Sequence, residues 1–305
     1  MLADDALVVA TSGTTGEPKG VVLTHTSVAA HARAVHAHLA VDPTTDRWLA
    51  CLPLAHVGGL GVVTRALVTG TPFSVLDRFD PEIVSGASRR PGPCTLVSLV
   101  PTALDRADTS AYRWVVLGGS ADPSGRASNV VRTYGLTESG GGVVYDGTPL
   151  DGVEVRIVEG EIQLRGPMLL RAYRDGIDPR DADGWLRTGD LGSLDTAGVL
   201  TVDGRRSDLI VTGGENVWPE SVEAVVASHP LVAEVAVAGK PDDEWGQRVT
   251  AFVVPVSGHE PPTLDELRNH TKRSLPAFAA PRELVLVEAL PRTPLGKVRR
   301  RDLAQ

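Results

Sequence analysis

The sequence predicts an α/β or mixed domain followed by a small α+β domain, and three observations support this fold class. Before residue 204, short apolar runs alternate with glycine-rich turns and one helical pattern, whereas a compact order of strands and helices follows. Hydrophobic residues make up 42% of the chain and charged residues 22%, which is typical of globular proteins. With 305 residues, the chain can hold two domains of roughly 100–200 residues each.

The first part opens with an apolar run that predicts a buried strand over residues 6–10, directly before the stretch T-S-G-T-T-G-E-P-K-G. A helix is predicted over residues 27–39, and the rest of this part reads mainly as strands. The further strands predicted here cover residues 114–117, 153–158 and 161–164.

The second part begins near Gly204-Arg205-Arg206-Ser207-Asp208, which we interpret as a hinge between domains at residues 1–206 and 207–305. Apolar residues recur at helical spacing in both helices predicted here, so each helix has one face to bury. The predicted elements are strands at 209–212, 232–238, 249–254 and 283–287, and helices at 220–228 and 264–275.

Composition excludes several classes of function. The formal net charge is -8 with scattered basic residues, which gives no support to binding of nucleic acid or an anionic membrane. Cys51 and Cys94 lie in apolar surroundings without C-x-x-C spacing, so they indicate neither a metal site nor a disulfide. The N-terminus has no signal-peptide pattern, and no apolar run approaches the ~18 residues of a membrane span. We therefore expect a cytoplasmic protein without membrane insertion.

The stretch from Thr11 to Gly20 has the residue types of a loop that holds a phosphate chain. Its glycines let oxygen atoms approach the backbone, its hydroxyls donate hydrogen bonds, and Lys19 adds a cation. It is not a Walker loop, because Lys19 follows Pro18 and precedes a glycine. A flexible surface loop is the alternative, but ten residues in this order favour a nucleoside triphosphate. The candidate binding residues are Thr11, Ser12, Gly13, Thr14, Thr15, Gly16 and Lys19.

Further stretches carry groups that suit a nucleotide, its metal and a substrate. Y-G-L-T-E from Tyr134 offers a ring for a base, a hydroxyl for a phosphate and the Glu138 carboxylate for Mg²⁺. The two carboxylate oxygens of Asp190 could accept hydrogen bonds from both ribose hydroxyls. Arg205 could also bind the ribose. Turn carboxylates are the alternative for Glu138 and Asp190. His56 stands in an apolar, glycine-rich segment where a substrate could lie, and a core histidine is its alternative.

In this order, the stretches resemble the acyl-adenylate-forming superfamily of acyl-CoA synthetases, peptide-synthetase adenylation domains and luciferases. The resemblance covers almost the whole chain. It implies a large N-terminal AMP-binding domain and a small mobile C-terminal domain, which form an acyl-AMP from a carboxylic acid and Mg-ATP and release pyrophosphate. A thiol then takes the acyl group. The implied cofactors and partners are therefore ATP, Mg²⁺, CoA and a small-molecule carboxylic acid.

The resemblance also implies roles for residues that match its motifs. His56 would act at the acyl pocket or as a gate, and Lys297 would bridge the carboxylate and the α-phosphate. A solvated basic tail is the alternative for Lys297, because Arg299, Arg300 and Arg301 follow it. The other implied roles are Thr11 to Gly20 at the β- and γ-phosphates, Tyr134 on adenine, Gly118, Gly119 and Gly135 at the nucleotide, Thr137 at the α-phosphate, Glu138 at the metal, Asp190 and Arg205 at the ribose, and Gly213 and Gly214 at the pantetheine channel.

Three segments look most like the 2-succinylbenzoate–CoA ligases of menaquinone biosynthesis. One runs from Trp48 to Leu60, one from Tyr145 to Gly152, and the third, from Arg205 to Ile210, carries a serine at the pivot. The leading hypothesis is therefore a ligase for this acid. A fatty- or aryl-acid–CoA ligase, an enzyme that loads a carrier protein and a non-catalytic nucleotide-binding homologue are the alternatives. The intact set of motif residues counts against the last of these.

The sequence departs from the family pattern in two places. Almost nothing precedes the phosphate loop, and only fourteen residues, 120–133, separate Gly119 from Tyr134, where the family usually has a helix and a strand. These departures predict a minimal fold, a misassigned start, or a chain that pairs with itself as a homodimer or with another subunit.

Overall fold

The computed structural model describes residues 2–11, 19–119, 127–292 and 298–303. It divides into two compact units. The large unit comprises Met1–Thr188 and Gly192–Thr201, and the small unit comprises Gly189–Leu191 and Val202–Gln305. The predicted domain boundary at residues 206 and 207, with its hinge near 204–208, stays a proposal.

The large unit is an α/β structure, as its sequence predicts. Its helices are α1 (His25–His38), α2 (Val57–Thr69), α3 (Pro81–Ala87) and α4 (Pro101–Leu104). Its strands are β1 (Asp5–Ala10), β2 (Gly20–Thr24), β3 (Trp48–Ala50), β4 (Phe73–Val75), β5 (Leu96–Leu99), β6 (Trp114–Gly118), β7 (Val130–Leu136), β8 (Gly141–Tyr145), β9 (Thr148–Pro149), β10 (Glu154–Val158), β11 (Glu161–Arg165) and β12 (Ala172–Tyr173). The division between the units falls within β13 (Leu186–Leu194) and β14 (Leu200–Arg205).

Among the described residues, three sheets contain these strands. The largest has the order β4-β3-β5-β6-β7-β8-β9, in which β3 to β7 are parallel and β8 and β9 are antiparallel. The others have the orders β1-β2-β12 and β10-β11-β13-β14. Both faces of the largest sheet are buried, because Trp48 packs in one apolar cluster and the next residue, Leu49, packs in another.

The small unit is an α+β structure, again as predicted. Its strands are β15 (Ile210–Thr212), β16 (Glu215–Val217), β17 (Val232–Asp242), β18 (Gly246–Pro255) and β19 (Glu283–Leu286), and its helices are α5 (Pro219–Ala227), α6 (Leu264–Thr271) and α7 (Arg300–Leu303). The sheet order is β16-β15-β18-β17, and β19 pairs with β18 in parallel. Val222, Val226 and Leu267 from α5 and α6 are fully buried in one cluster with Val237 and Val249 of the sheet.

Two expectations about elements need correction. The sequence predicts mainly strands and one helix before residue 204, but α2, α3 and α4 accompany α1. It predicts the second helix of the small unit over residues 264–275, but α6 ends at Thr271, and the chain beyond it continues as hydrogen-bonded turns. The remaining predicted strands and helices all occur within a few residues of their expected positions.

Candidate active site

The phosphate loop predicted from the sequence connects two antiparallel strands of the large unit. Ala10 at the end of β1 lies opposite Gly20 at the start of β2. The Thr11 amide donates to the Lys19 carbonyl at 2.8 Å, and the Lys19 amide donates to the Thr11 hydroxyl at 3.3 Å. The structure therefore fixes both ends of the loop. The other candidates in it, Ser12, Gly13, Thr14, Thr15 and Gly16, lie outside the described residues.

The candidates for nucleotide binding in the middle of the chain lie at the carboxyl ends of two adjacent parallel strands. Gly118 ends β6 and lies opposite Thr133 of β7, and Gly119 follows with a φ of 120°. Tyr134 and Gly135 belong to the last part of β7. These residues therefore lie at the edge where ligands of open α/β sheets bind.

Gly135 cannot be replaced without moving the backbone. A Cβ atom there would lie 2.0 Å from the Gly141 carbonyl oxygen, because β7 and β8 approach each other closely. Thr137 and Glu138 follow directly in a short 3-10 turn, Thr137–Ser139. The buried Ser139 hydroxyl accepts from the Leu136 amide at 2.9 Å and closes this turn. The turn therefore presents Thr137 and Glu138 in a fixed order just beyond the strand end.

Tyr173 contacts both Lys19, at the end of the phosphate loop, and Glu138. Its hydroxyl donates to Glu138 Oε1 at 2.9 Å, and Lys19 Nζ lies 4.9 Å from the centroid of its ring. Burial, together with the Glu138 charge, holds the pKa of Tyr173 above its ordinary value, so the phenol remains a donor. Sequence analysis missed Tyr173, because only its proximity in space to residues far along the chain gives it a role.

His56 marks the beginning of α2 and is half-buried. Its carbonyl accepts from the Leu60 amide at 2.8 Å, and its own amide donates to the Pro53 carbonyl at 3.2 Å. Gly59 is required for this corner, because a Cβ atom there would lie 2.4 Å from the Leu52 carbonyl oxygen. The glycine-rich segment noted in the sequence therefore packs the helix start against the preceding loop.

A small pocket lies beside the first turns of α2. The described residues that line it include Val9, Leu23, His31, Leu60, Gly61 and Gly140. His31 Nε2 donates to the Gly142 carbonyl at 2.9 Å, and burial lowers the pKa of this histidine to about 4. The pocket therefore has mainly apolar walls, one neutral imidazole and two hydroxyl-bearing residues, Ser27 and Thr64. It lies next to the turn that carries Glu138.

Arg65 is the second residue that sequence analysis missed. It is 4% exposed, and its side chain lies between α2 and the largest sheet. The Arg65 Nε donates to the Gly61 carbonyl at 2.8 Å, Nη2 donates to the Ser98 hydroxyl at 3.2 Å, and the Trp48 ring is 4.6 Å away. The Tyr145 side chain supplies a further hydrogen bond, and burial lowers the pKa of the guanidinium. Within the described residues, Arg65 has only uncharged partners.

The predicted ribose residues belong to the small unit and contact each other. Arg205 Nε lies 3.1 Å from Asp190 Oδ1, and the Asp190 side chain is buried. Gly213 and Gly214 form the turn between β15 and β16, with φ values of 59° and 83°. A Cβ atom at Gly213 would lie 2.7 Å from the Trp245 ring. This turn is therefore fixed by a left-handed backbone and by the tryptophan.

Lys297 lies outside the described residues, and the chain on either side of it belongs to the small unit. Arg292 and Val298 form an isolated antiparallel bridge across it. Three residues beyond it, Arg300 contacts Glu223 at 2.7 Å, Glu220 at 3.1 Å and Asp208 at 3.2 Å. The ends of the segment that contains Lys297 are therefore attached to the small unit, although the role of the lysine stays a proposal.

Comparison with known proteins supplies the family. The profile of the AMP-binding enzyme family matches residues 2–174, and that of the AMP-binding enzyme C-terminal domain matches residues 221–297. The first match alone covers more than half of the chain. The chain belongs to the AMP-binding enzyme family.

Curated relatives of this AMP-binding enzyme are similar along its whole length. A probable 2-succinylbenzoate–CoA ligase of Mycobacterium tuberculosis is 41% identical over an alignment of 326 positions, which covers 99% of this chain and 84% of the relative. A 2-succinylbenzoate–CoA ligase of Bacillus cytotoxicus is 35% identical, with coverage of 100% and 70%.

Solved structures agree with this likeness. The o-succinylbenzoate CoA synthetase (MenE) of Bacillus subtilis, in complex with the acyl-adenylate intermediate OSB-AMP, has a TM-score of 0.90 and 32% identity. That comparison covers 100% of this chain and 70% of the synthetase. The structure of the same synthetase in complex with ATP and magnesium ion has a TM-score of 0.89 and 31% identity. That comparison covers 100% of this chain and 71% of the synthetase.

The residues at the Glu138 turn fit a magnesium ion that arrives with the nucleotide. No group of three or more His, Cys, Asp or Glu side chains that could hold a metal occurs in the described ranges. Mg²⁺ is commonly held by one or two carboxylates together with substrate phosphates and water. Glu138, half-buried at the strand end, supplies one such carboxylate. Bound there, the metal would neutralise phosphate charge.

In the part of the chain that the structure describes, no helix is long and apolar enough to cross a membrane.

Proposed function

We propose that this AMP-binding enzyme is an ATP-dependent 2-succinylbenzoate–CoA ligase of menaquinone biosynthesis. The observation that carries the adenylation step is the contact of Tyr173 with both Lys19 and Glu138. It holds a cation, Lys19, and a carboxylate proposed to bind the metal, Glu138, against one side chain beside the end of the phosphate loop. A triphosphate with its Mg²⁺ needs this combination.

The reaction follows from the charges that must meet. The carboxylate of the acid attacks the α-phosphorus of ATP, and the bond to the β-phosphate breaks, so acyl-AMP forms and pyrophosphate leaves. Because both reactants are anionic, cations must offset their repulsion and hold them in line. Lys19 serves the leaving phosphates, and Lys297 is proposed to serve the carboxylate. In the second step the CoA thiolate attacks the acyl carbonyl, AMP leaves, and a thioester remains.

Arg65 supports the choice of acid. A buried guanidinium is costly unless a negative partner compensates it, and the described residues offer Arg65 only uncharged partners. A Cβ atom at Gly61, which lines the pocket beside α2, would lie 4.0 Å from Arg65 Nη2, so the guanidinium lies close to one residue of this pocket. 2-Succinylbenzoate keeps a second carboxylate after its succinyl carboxylate has reacted. We propose that Arg65 binds this second carboxylate.

The remaining assignments support the proposal without carrying it. They place Tyr134, Gly118, Gly119, Gly135 and Thr137 at AMP, Asp190 and Arg205 at the ribose, Gly213 and Gly214 at the pantetheine arm, and His56 beside the acyl group. A cytoplasmic location and a homodimer likewise stay predictions from the sequence.

The proposal is tested by release of pyrophosphate from Mg-ATP by the purified protein in the presence of CoA. The acids compared are 2-succinylbenzoate, benzoate and octanoate. We expect release with 2-succinylbenzoate and only background rates with the other two. Release with benzoate or octanoate, but not with the diacid, would leave an acid–CoA ligase of different specificity.

Lys297→Ala provides the control for this assay. Because Lys297 is proposed to act only in the first step, the variant should lose pyrophosphate release. It should still bind ATP in a calorimetric titration. Release that survives in Lys297→Ala would remove the proposed role of this lysine. Replacement of CoA by a pantetheinylated carrier protein examines the carrier-loading alternative with the same readout.

A further inference from the structure

The backbone around Tyr173 is attached on two sides. Tyr173 lies opposite Val21 in the pairing of β12 with β2, and the Arg174 amide donates to the Gly20 carbonyl at 2.7 Å. On the other side, the Leu170 amide donates to the Glu138 carbonyl at 2.7 Å. A short segment therefore connects the strand that leaves the phosphate loop with the turn that carries Glu138.

The side chain of Tyr173 repeats this connection. Its half-buried ring has the exposed ammonium of Lys19 on one face, at 4.9 Å from the centroid, and its hydroxyl donates to Glu138 Oε1 at 2.9 Å. Aromatic faces attract cations, and a phenol is a good donor to a carboxylate. One side chain therefore stabilises the position of a positive and a negative group.

Lys19 and Glu138 form no direct ion pair in the described parts of the chain, and each contacts a different part of Tyr173, Lys19 the ring face and Glu138 the hydroxyl. This separation has a chemical consequence. An ammonium in contact with the Glu138 carboxylate would neutralise it and compete with a metal ion for its oxygens. With each group held by a different part of Tyr173, the carboxylate keeps its charge for the metal and the ammonium keeps its charge for phosphate.

We propose that Tyr173 is a positioning residue that keeps Lys19 and Glu138 apart and aims them at the phosphates and the metal of one Mg-ATP. The proposal rests on the proposed function for its ligand. It goes beyond that function in assigning Tyr173 a role through its contacts with Lys19 and Glu138. Two parts of Tyr173 are involved. Its hydroxyl orients Glu138, and its ring keeps the ammonium of Lys19 over its face and away from that carboxylate.

Direct binding measurements test these two properties. Binding of Mn²⁺, as a probe for Mg²⁺, is measured by electron paramagnetic resonance in the presence of a non-hydrolysable ATP analogue. Binding of the analogue itself is measured by calorimetry. We expect Tyr173→Phe, which keeps the ring, to weaken Mn²⁺ binding by about tenfold, because loss of the group that orients a metal ligand commonly has such an effect. We expect Tyr173→Leu, which also removes the ring, to weaken it further.

The spacer role is tested by a second change. In Tyr173→Leu, Lys19 is free to approach Glu138, so the additional substitution Lys19→Met should recover part of the Mn²⁺ affinity while affinity for the ATP analogue stays low. A merely structural role for Tyr173 would not produce this recovery. In a Glu138→Gln background, Tyr173→Phe should weaken Mn²⁺ binding no further.

Tyr112→Phe is the matched control. Its buried hydroxyl donates to the Val84 carbonyl at 2.7 Å, in the other apolar cluster of the large unit, so the same chemical change is made away from the site. This variant should keep wild-type Mn²⁺ affinity, even if its midpoint of thermal unfolding falls. Mn²⁺ affinity in Tyr173→Phe within twofold of the wild type, or no recovery on adding Lys19→Met, would overturn the proposal.

These readouts separate the inference from the proposed function, because neither requires the acid or CoA. Wild-type protein that binds Mn²⁺ with the ATP analogue but releases no pyrophosphate with 2-succinylbenzoate would contradict the proposed function and leave the role of Tyr173 standing. Wild-type activity combined with unchanged Mn²⁺ binding in Tyr173→Phe would contradict the role of Tyr173 alone.

Discussion

Two side chains, Tyr173 and Arg65, explain why residue types alone describe this site incompletely. Tyr173 lies 35 positions from the Glu138 that it contacts. Arg65 lies 33 positions from Ser98, one of its hydrogen-bond partners. Lys19 and Glu138 could be predicted as binding residues from the sequence, because their motifs are local. The groups that orient these residues, or that balance a buried charge, are defined only by the fold.

Arg65 yields a prediction about substrate selection. The substitution Arg65→Met keeps the length of the side chain and removes its charge. We expect it to raise KM for 2-succinylbenzoate by about 10–100-fold, since a hydrogen bond between charged groups contributes about 1.5–3 kcal/mol. KM for 4-phenyl-4-oxobutanoate, which lacks the ring carboxylate, should change little. Steady-state kinetics with both acids provide the measurement.

Arg65→Lys serves as the control, because it keeps the charge and loses the planar hydrogen-bonding geometry. It should retain part of the preference for the diacid. Thermal unfolding of both variants shows whether the fold survives, and removal of an uncompensated buried charge need not destabilise it. If Arg65→Met loses activity equally with both acids, the arginine has a structural role and does not select the substrate.

At the scale of elements, α2 shows how a helix can escape detection in a sequence. It begins with V-G-G-L-G, and glycine is among the poorest helix formers. The sequence therefore shows an apolar, glycine-rich segment around His56 without a helix signal. In the structure, packing overrides propensity. Because Gly59 has no Cβ, the start of the helix can pack against the carbonyl groups of Leu52 and Pro53. A Cβ atom at Gly59 would lie only 2.4 and 2.5 Å from these two carbonyl oxygens.

The two neighbouring glycines of α2 give a matched pair of substitutions. Gly59→Ala should destabilise the protein by about 1–3 kcal/mol, because the added methyl group meets backbone that cannot move independently. Gly58→Ala meets only the Leu52 side chain, at 3.5 Å, and should be neutral or stabilise by up to about 1 kcal/mol. Urea unfolding of both variants provides the comparison. Equal stabilities would contradict the packing described at this corner.

Other elements were predictable because their signals are local. The helix expected over residues 27–39 occurs as α1, which Thr24 caps by accepting from the Ser27 amide at 3.0 Å. The strands of the small unit have apolar patterns that survive in the structure as β15, β17, β18 and β19. Their pairing was not predictable, because the register of β18 with β19 depends on contacts between residues more than thirty positions apart.

At the scale of the molecule, the candidate site residues are divided between two units. Glu138, Tyr134 and Lys19 belong to the large unit, whereas Asp190 and Arg205 belong to the small one. The sequence predicted the fold class of each unit and the motifs that each carries. The domain boundary at residues 206 and 207 stays a prediction, and in the structure residues 189–191 belong to the small unit together with Val202–Gln305. Such a division depends on contacts across the sheet and leaves no local signal.

The central claim is that the chain makes an acyl-AMP from 2-succinylbenzoate and then a CoA thioester. Mass spectrometry of the reaction mixture tests it most directly. With Mg-ATP and the diacid but no CoA, the mass of succinylbenzoyl-AMP should appear. Addition of CoA should replace it with the thioester and free AMP. ATP and acid that remain unchanged at high protein concentration, or ADP in place of AMP, would contradict the claim.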